Sequence, residues 1–276
     1  MGLDRGLLLA LSLLSVGCST GWYLGRGEDA VREMELVDAE RAFRSALSRE
    51  PDNPRALYGL GWTYHLAGHH DEARETFERC IQVAPQSELG FKGLGSVALA
   101  EGNLDIAQGR FDQALQLAPG DPSVLNSLAL LHIRAERYEQ ALEIYGALRV
   151  EGQLLPEAAI GQAEASLRLG RLDEALAVVD EALAHGGGSA RQATLLYSLR
   201  ARILHAFTTG RLDDQRCDVT AAPLLAWLDE ADASLDQAEA LALPLDSLAG
   251  VRREIHLRRK LVQRTCPDAG GNGGGR

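Results

Sequence analysis

Lysine is almost missing from this chain. Lys92 and Lys260 are the only two, and arginine carries nearly all the positive charge. Acidic residues outnumber basic ones, 39 to 28, for a net charge of −11. An acidic chain repels phosphate backbones, so nucleic acid is not an expected partner. Aromatic residues make up only 5%, and β-branched residues are few, which argues against a sheet-rich fold. No P-loop, dinucleotide fingerprint or nucleophile–base set is present. We therefore expect no enzyme, no cofactor and no small-molecule substrate; a site within the C-terminal 75 residues is the weaker, enzymatic reading. The four cysteines, Cys18, Cys80, Cys217 and Cys266, have no metal-ligand spacing. What is plentiful is Ala and Leu, both strong helix formers, within a hydrophobic content of 46%.

One stretch looks like metal chemistry. His65, His69 and His70 precede Asp71 and Glu72, and imidazoles with carboxylates are what zinc and iron sites use. Whether they serve a metal depends on the pattern of the whole chain.

The N-terminus begins with one Arg and one cancelling Asp, followed by an apolar run from Leu7 to Val16. Ten helical residues rise about 15 Å, half the thickness of a bilayer core. That length suits the apolar part of a signal peptide. The segment Leu13-Leu14-Ser15-Val16-Gly17-Cys18 resembles the lipobox of bacterial lipoproteins, cut before a cysteine that is then lipidated. Ser15 departs from that pattern, which usually has Leu there. The resemblance implies a signal peptide over 1–17, lipidation (palmitate) at Cys18 and a tether over 18–27. With Ser19 after the cysteine, it implies the outer membrane, facing the periplasm. An uncleaved anchor over residues 6–25, with Trp22 and Tyr23 at the interface, is the competing reading, and an ordinary cleaved signal is a third. All three put the bulk of the chain outside the cytoplasm.

Beyond the N-terminus the chain repeats itself every 34 residues. Ala39, Ala73, Ala107, Ala141 and Ala175 are evenly spaced. Four residues after each come Phe43, Phe77, Phe111, Tyr145 and Val179, and then Ala46, Cys80, Ala114, Leu148 and Ala182. Upstream, Leu60, Leu94 and Leu128 precede Gly61, Gly95 and Ala129 in register, with Ala163 following, and Pro51, Pro85 and Pro119 close the first three units. Each unit reads as two amphipathic helices joined by a polar turn. Small residues let the two helices approach, and one hairpin cannot bury its apolar face alone. His69 and His70 then fall in an inter-helix turn. Asp71 and Glu72 fall in a first helical turn, where the dipole favours acids. The histidine stretch is thus read as a hairpin turn and not a metal site. Cys80 is read as core packing.

This pattern resembles the tetratricopeptide repeat. The best match is the second unit: Leu57, Leu60, Gly61, Tyr64, Ala73, Phe77, Cys80 and Pro85. The resemblance implies an all-α, right-handed solenoid of five repeats over 28–189, with units near 20–53, 54–87, 88–121, 122–155 and 156–189. The first unit has a poor front helix, and the fourth and fifth lack the closing Pro. A degenerate sixth repeat and capping helices follow over 190–264, with helices near 224–243 and 245–263. A Gly-rich tail over 265–276 is expected to be disordered.

The resemblance also implies a concave groove lined by the front helices. It assigns to that groove Tyr58, Trp62, His65, Lys92, Ser96, Asn126, Leu130, Arg134, Ile160, Glu164 and Arg168. Tyr58 and Trp62 stand where the family's carboxylate clamps carry Lys and Asn, so an extended or helical segment held by apolar contacts is expected. Two further features are open. A basic patch, Arg252, Arg253, Arg258, Arg259, Lys260 and Arg264, is either a solvated cap face or a dock for an acidic partner or anionic lipid. Cys217 and Cys266 remain as a possible disulfide if Cys18 is lipidated and Cys80 is in the core. The function expected is a non-catalytic protein–protein scaffold, tethered on the periplasmic side and assembling an envelope complex, pilotin-like or barrel-assembly-like. The alternative is an inner-membrane signal-anchored adaptor recruiting cell-wall or secretion enzymes.

Overall fold

The computed structural model describes residues 20–150, 158–209, 221–241 and 246–266. Helices are the regular structure of these residues. They are α1 (20–32), α2 (Leu36–Leu47), α3 (Pro54–Leu66), α4 (His70–Val83), α5 (Leu89–Ala100), α6 (Leu104–Leu117), α7 (Pro122–Arg134) and α8 (Tyr138–Val150). After these come α9 (Ala158–Arg168), α10 (Leu172–Ala184), α11 (Ala190–Thr209), α12 (Ala221–Ala240) and α13 (Asp246–Thr265). The chain divides into two compact units, one ending at Leu131 and one beginning at His132.

In the first unit each helix packs on the next from α2 to α6, and α3 also reaches α5. The 34-residue register sets the core. Ala39, Ala73 and Ala107 are fully buried, and so are Phe43, Phe77 and Phe111 to within 1%. Complete burial of a Phe side chain stabilises by about 1.5–3 kcal/mol. The rings need glycine opposite them. A Cβ on Gly61 would lie 2.7 Å from Phe77, and one on Gly93 of the next front helix would lie closer still. Gly27 and Gly59 hold Phe43 in the same way. Helix starts are cut sharply by a capping residue followed by Pro. Asn53 Oδ1 accepts the Ala56 N–H at 3.0 Å, and Asp121 Oδ1 accepts the Val124 N–H at 2.9 Å. Pro at the first helical position loses no hydrogen bond there.

The turns within the five repeat hairpins share one geometry. Met34, Gly68, Gly102, Glu136 and Gly170, again 34 apart, have φ between 58° and 80°. The next residue's N–H closes back on the helix in every case: Glu35 to Ala30, His69 to Tyr64, Asn103 to Ala98, Arg137 to His132 and Arg171 to Ser166, at 2.8–2.9 Å. This is the six-to-one hydrogen bond of a left-handed helix C-terminus.

In the second unit, α8 to α13 pack in sequence, and α9 also touches α11. Ala141, Tyr145, Leu148, Ala175 and Val179 are buried in register. The last three helices run 20 residues each. They enclose a core of Leu204, Leu224, Leu228, Leu235, Ile255 and Val262.

Several expectations need correction. The tether expected over 18–27 is helical from Thr20, and Leu24 and Ala30 join the core around Phe43. The first unit therefore has a full front helix. α12 starts at Ala221, before Pro223, because Pro is tolerated in a first turn. The disorder expected from 265 does not hold at its first two residues: Thr265 ends α13 and Cys266 is buried. Cys18, Cys217, the signal-peptide segment and residues 267–276 lie outside the described residues.

Candidate functional site

In the first unit, α3 presents a ladder of rings. Tyr58 stacks on Trp62 with centroids 6.2 Å apart and planes 19° off parallel. Trp62 meets His65 at 5.0 Å, and His65 meets His70, the first residue of α4, at 5.5 Å. Positions 58, 62 and 65 share one helical face. Tyr58, Trp62 and His65 are all partly exposed. Tyr58 and Trp62 rest on the cluster of Phe77, Leu94 and Val97. Trp62 is thus both a core neighbour and a surface residue. Burial, with the His70 imidazole beside it, lowers the His65 pKa. The Nδ1 atoms of His65 and His70 are buried and find no hydrogen-bond partner among the described residues.

Lys92 does something the sequence did not reveal. It is 8% exposed, with its ammonium 4.9 Å over the Tyr58 ring and donating to Ser123 Oγ at 3.0 Å. It therefore ties α3, α5 and α7 together. Burial lowers its pKa against the opposing charges of Asp121 and Glu88. Burial likewise pushes the Tyr58 hydroxyl far above its ordinary value, with Asp121 and Glu88 adding to the effect. Lys92 is a strut between these helices more than a free cation. Ser96 bonds back to the Lys92 carbonyl at 3.1 Å. Asn126 has a buried Oδ1 with no partner among the described residues, and Leu130 is exposed.

In the second unit the assigned residues are differently used. Ile160 packs partly into the core. Glu164 accepts Arg168 Nε at 2.8 Å and both Arg202 nitrogens at 2.8 and 3.3 Å. Burial alone would raise its pKa, but these two guanidiniums hold it below the ordinary carboxylate value. Arg134 is exposed. The basic patch is also split. Arg252 pairs with Asp236 and Glu239 at 2.9 and 3.1 Å, and Arg259 pairs with Asp229 and Asp232 at 2.9 and 2.6 Å. These two clasp α13 to α12. Cys266 is disulfide-bonded. Cys80 is a buried free thiol, pushed up to about 11 by burial and by Glu88. Among the described residues no group of three or more His, Cys, Asp or Glu could hold a metal ion.

Tetratricopeptide-repeat family models match residues 30–91, 92–153 and 128–190. The chain belongs to the tetratricopeptide-repeat family. Its fold is an all-α solenoid of helix hairpins, and the tetratricopeptide fold is one of protein–protein interaction. No curated protein matches the chain. Solved structures share the fold. A chain of the anaphase-promoting-complex heterotetramer Cut9–Hcn1 matches with a TM-score of 0.66 and 15% identity, over 86% of this chain and 43% of that one. PilF of Pseudomonas aeruginosa matches with a TM-score of 0.56 and 18% identity, over 88% and 99%. PilW, described as a widely conserved type IV pilus biogenesis factor, matches with a TM-score of 0.54 and 17% identity, over 76% and 92%.

Against the tetratricopeptide pattern, three functional neighbours were missed in the sequence. His70, expected in the turn but found as the first residue of α4, extends the ring ladder, Ser123 anchors Lys92, and Arg202 reaches Glu164 from a helix beyond the repeats. Only His70 left a signal, as part of the histidine cluster.

Proposed function

We propose that this protein is a non-catalytic, membrane-tethered scaffold that grips a segment of another envelope protein through the ring ladder of α3. The observation that carries this reading is the stacked, partly exposed Tyr58–Trp62 pair, braced from below by Lys92. Aromatic side chains whose inner edge is fixed and whose outer face is free are what binding hot spots are made of. An apolar platform with its one lysine already engaged favours an extended or helical segment over a free carboxylate.

The tether is a lipid on Cys18, on the periplasmic side of the envelope, with the outer membrane as its site. Two observations support it. The disulfide at Cys266 suits an oxidising compartment. In addition, α1 takes up residues 20–25, which an uncleaved spanning anchor would need for itself. Among the described residues no helix is long and apolar enough to cross a membrane. Trp22, 55% exposed with Arg26 over its ring at 5.1 Å, stands where an interfacial aromatic would follow a lipidated cysteine. The likeness to PilW suggests assembly of a pilus-type machine as the setting.

Cross-linked pull-down from membranes tests this reading, run with wild type and Cys18→Ser. The expected result is one envelope protein recovered by the wild type, with acyl labelling and membrane retention lost in Cys18→Ser. A Cys18→Ser protein that stays membrane-bound would overturn the lipid tether.

A further inference from the structure

The outer face of α13 is unlike the rest of this acidic chain. Arg253, Leu257, Lys260, Leu261 and Arg264 fall at spacings of four, three, one and three, which places them on one helical stripe. The stripe runs about 16 Å along the helix axis. Leu257 is 65% exposed and Leu261 43% exposed, while Arg253, Lys260 and Arg264 are exposed beside them. The opposite face of α13 is already satisfied, since Leu248, Ile255, Val262 and Cys266 lie in the core. The two leucines are therefore surplus to packing.

The charge is also surplus. The acids of α12 that could neutralise α13, namely Asp229, Asp232, Asp236 and Glu239, are engaged by Arg252 and Arg259. Glu230 is engaged by Arg200. Glu254 is the exposed acid at the stripe's edge. Three cations thus face outward around two exposed leucines, and none of the three has an ion pair among the described residues.

We propose that this stripe is a contact surface for an anionic lipid bilayer. The alternative occupant is an acidic protein. A specific protein interface needs about 800 Å² per partner, far more than two leucines and three cations on one helix supply. A bilayer surface needs no matching shape. Leucines enter the headgroup boundary while flanking cations meet lipid phosphates, and binding grows with buried apolar area plus charge. The inference is independent of the Cys18 tether and of the ring ladder on α3.

Vesicle co-sedimentation of the full-length chain tests it. The probes are phosphatidylcholine vesicles, with and without phosphatidylglycerol. Any contribution from the apolar N-terminus is common to both vesicle types, so the difference between them reads the stripe. Wild type is expected to bind the anionic vesicles more tightly, with the excess falling as salt rises. Lys260→Gln/Arg264→Gln should cut that excess by about thirtyfold, at about a tenfold change per 1.4 kcal/mol and roughly 1 kcal/mol per cation. Leu257→Ser/Leu261→Ser should weaken binding as well. Arg137→Gln/Arg191→Gln, an equal change in net charge at exposed sites elsewhere, should leave binding as in wild type, and so should Trp62→Ala. Lys260→Arg should keep full binding and serves as the folding-neutral control. Equal binding to both vesicle types would overturn the proposal. So would equal losses in the two charge pairs, or serine variants that bind like wild type.

Discussion

Gly61 and Phe77 meet across the α3–α4 hairpin so closely that a Cβ on the glycine would stand 2.7 Å from the ring. Gly93 closes the same ring from the next front helix. The aromatic and glycine positions of the 34-residue period are thus one device: ring on one helix, bare backbone on two others.

Helix propensity alone says that Ala in place of a helical Gly should stabilise by roughly 0.5–1 kcal/mol. At Gly93 the packing reverses that sign. Gly93→Ala is expected to destabilise by about 1–3 kcal/mol, the usual range for overpacking. Gly109, on α6 with nothing within 4 Å of its missing Cβ, should follow propensity, and Gly109→Ala should stabilise. Urea unfolding of the two variants checks the opposite signs.

Met34 and Glu136 hold left-handed backbone where the other turns have glycine. An L-residue there costs roughly 1–2 kcal/mol, partly offset by the freedom glycine has in the unfolded chain. Met34→Gly and Glu136→Gly should each stabilise by about 0.5–1 kcal/mol, which for a chain of this size is a rise in melting temperature of about 1–4 °C. Gly68→Ala should do the opposite.

Most of the fold was legible because its period is rigid. Ala73, Phe77 and Cys80 recur in kind every 34 residues, and each is buried where the pattern puts it. The first front helix was not legible. Its Leu24, Gly27 and Ala30 were masked by the apolar N-terminal run of the sequence leading into them, and its turn carries Met34 where glycine marks three of the others. The face of α3 was readable from Tyr58 and Trp62. The partners of Lys92 and Glu164 were not, because Ser123 and Arg202 come from other elements and follow no short-range spacing.

Acid should destabilise the protein in two steps. His65, His132 and His205 all have lowered folded-state pKa values, burial being the first cause in each; His70, Arg137 and Arg258 respectively deepen the effect, with Glu254 opposing it at His205. The unfolded chain then binds more protons than the folded one, so stability is full above the ordinary imidazole value of about 6.5 and falls below it. Glu164, held low by Arg202 and Arg168 despite its burial, adds a second loss beneath the ordinary carboxylate range. Denaturant midpoints measured from neutral pH downward should decline, and His65→Gln should flatten the first step. A midpoint that rises on mild acidification would contradict the assignment.

Thiol chemistry should be nearly silent in the native state. Cys80 is buried, protonated at neutral pH with its pKa near about 11, and its Sγ lies 3.5 Å from the Pro54 carbonyl; Cys266 is disulfide-bonded. Alkylation of non-reduced native protein should label neither, and Cys80 should label only after unfolding. Mass spectrometry of the alkylated peptides reads both sites.

The most direct test of the scaffold is the affinity of Trp62→Ala for the envelope partner recovered by cross-linking, measured beside its thermal melt. On the proposed reading of Trp62 as a hot spot, its truncation should cost at least about 2 kcal/mol of binding, roughly thirtyfold. Because Trp62 is only partly buried, the protein should stay folded at the assay temperature, with melting lowered by a few degrees. Wild-type affinity in this variant would contradict the account; so would loss of binding that merely follows loss of the fold.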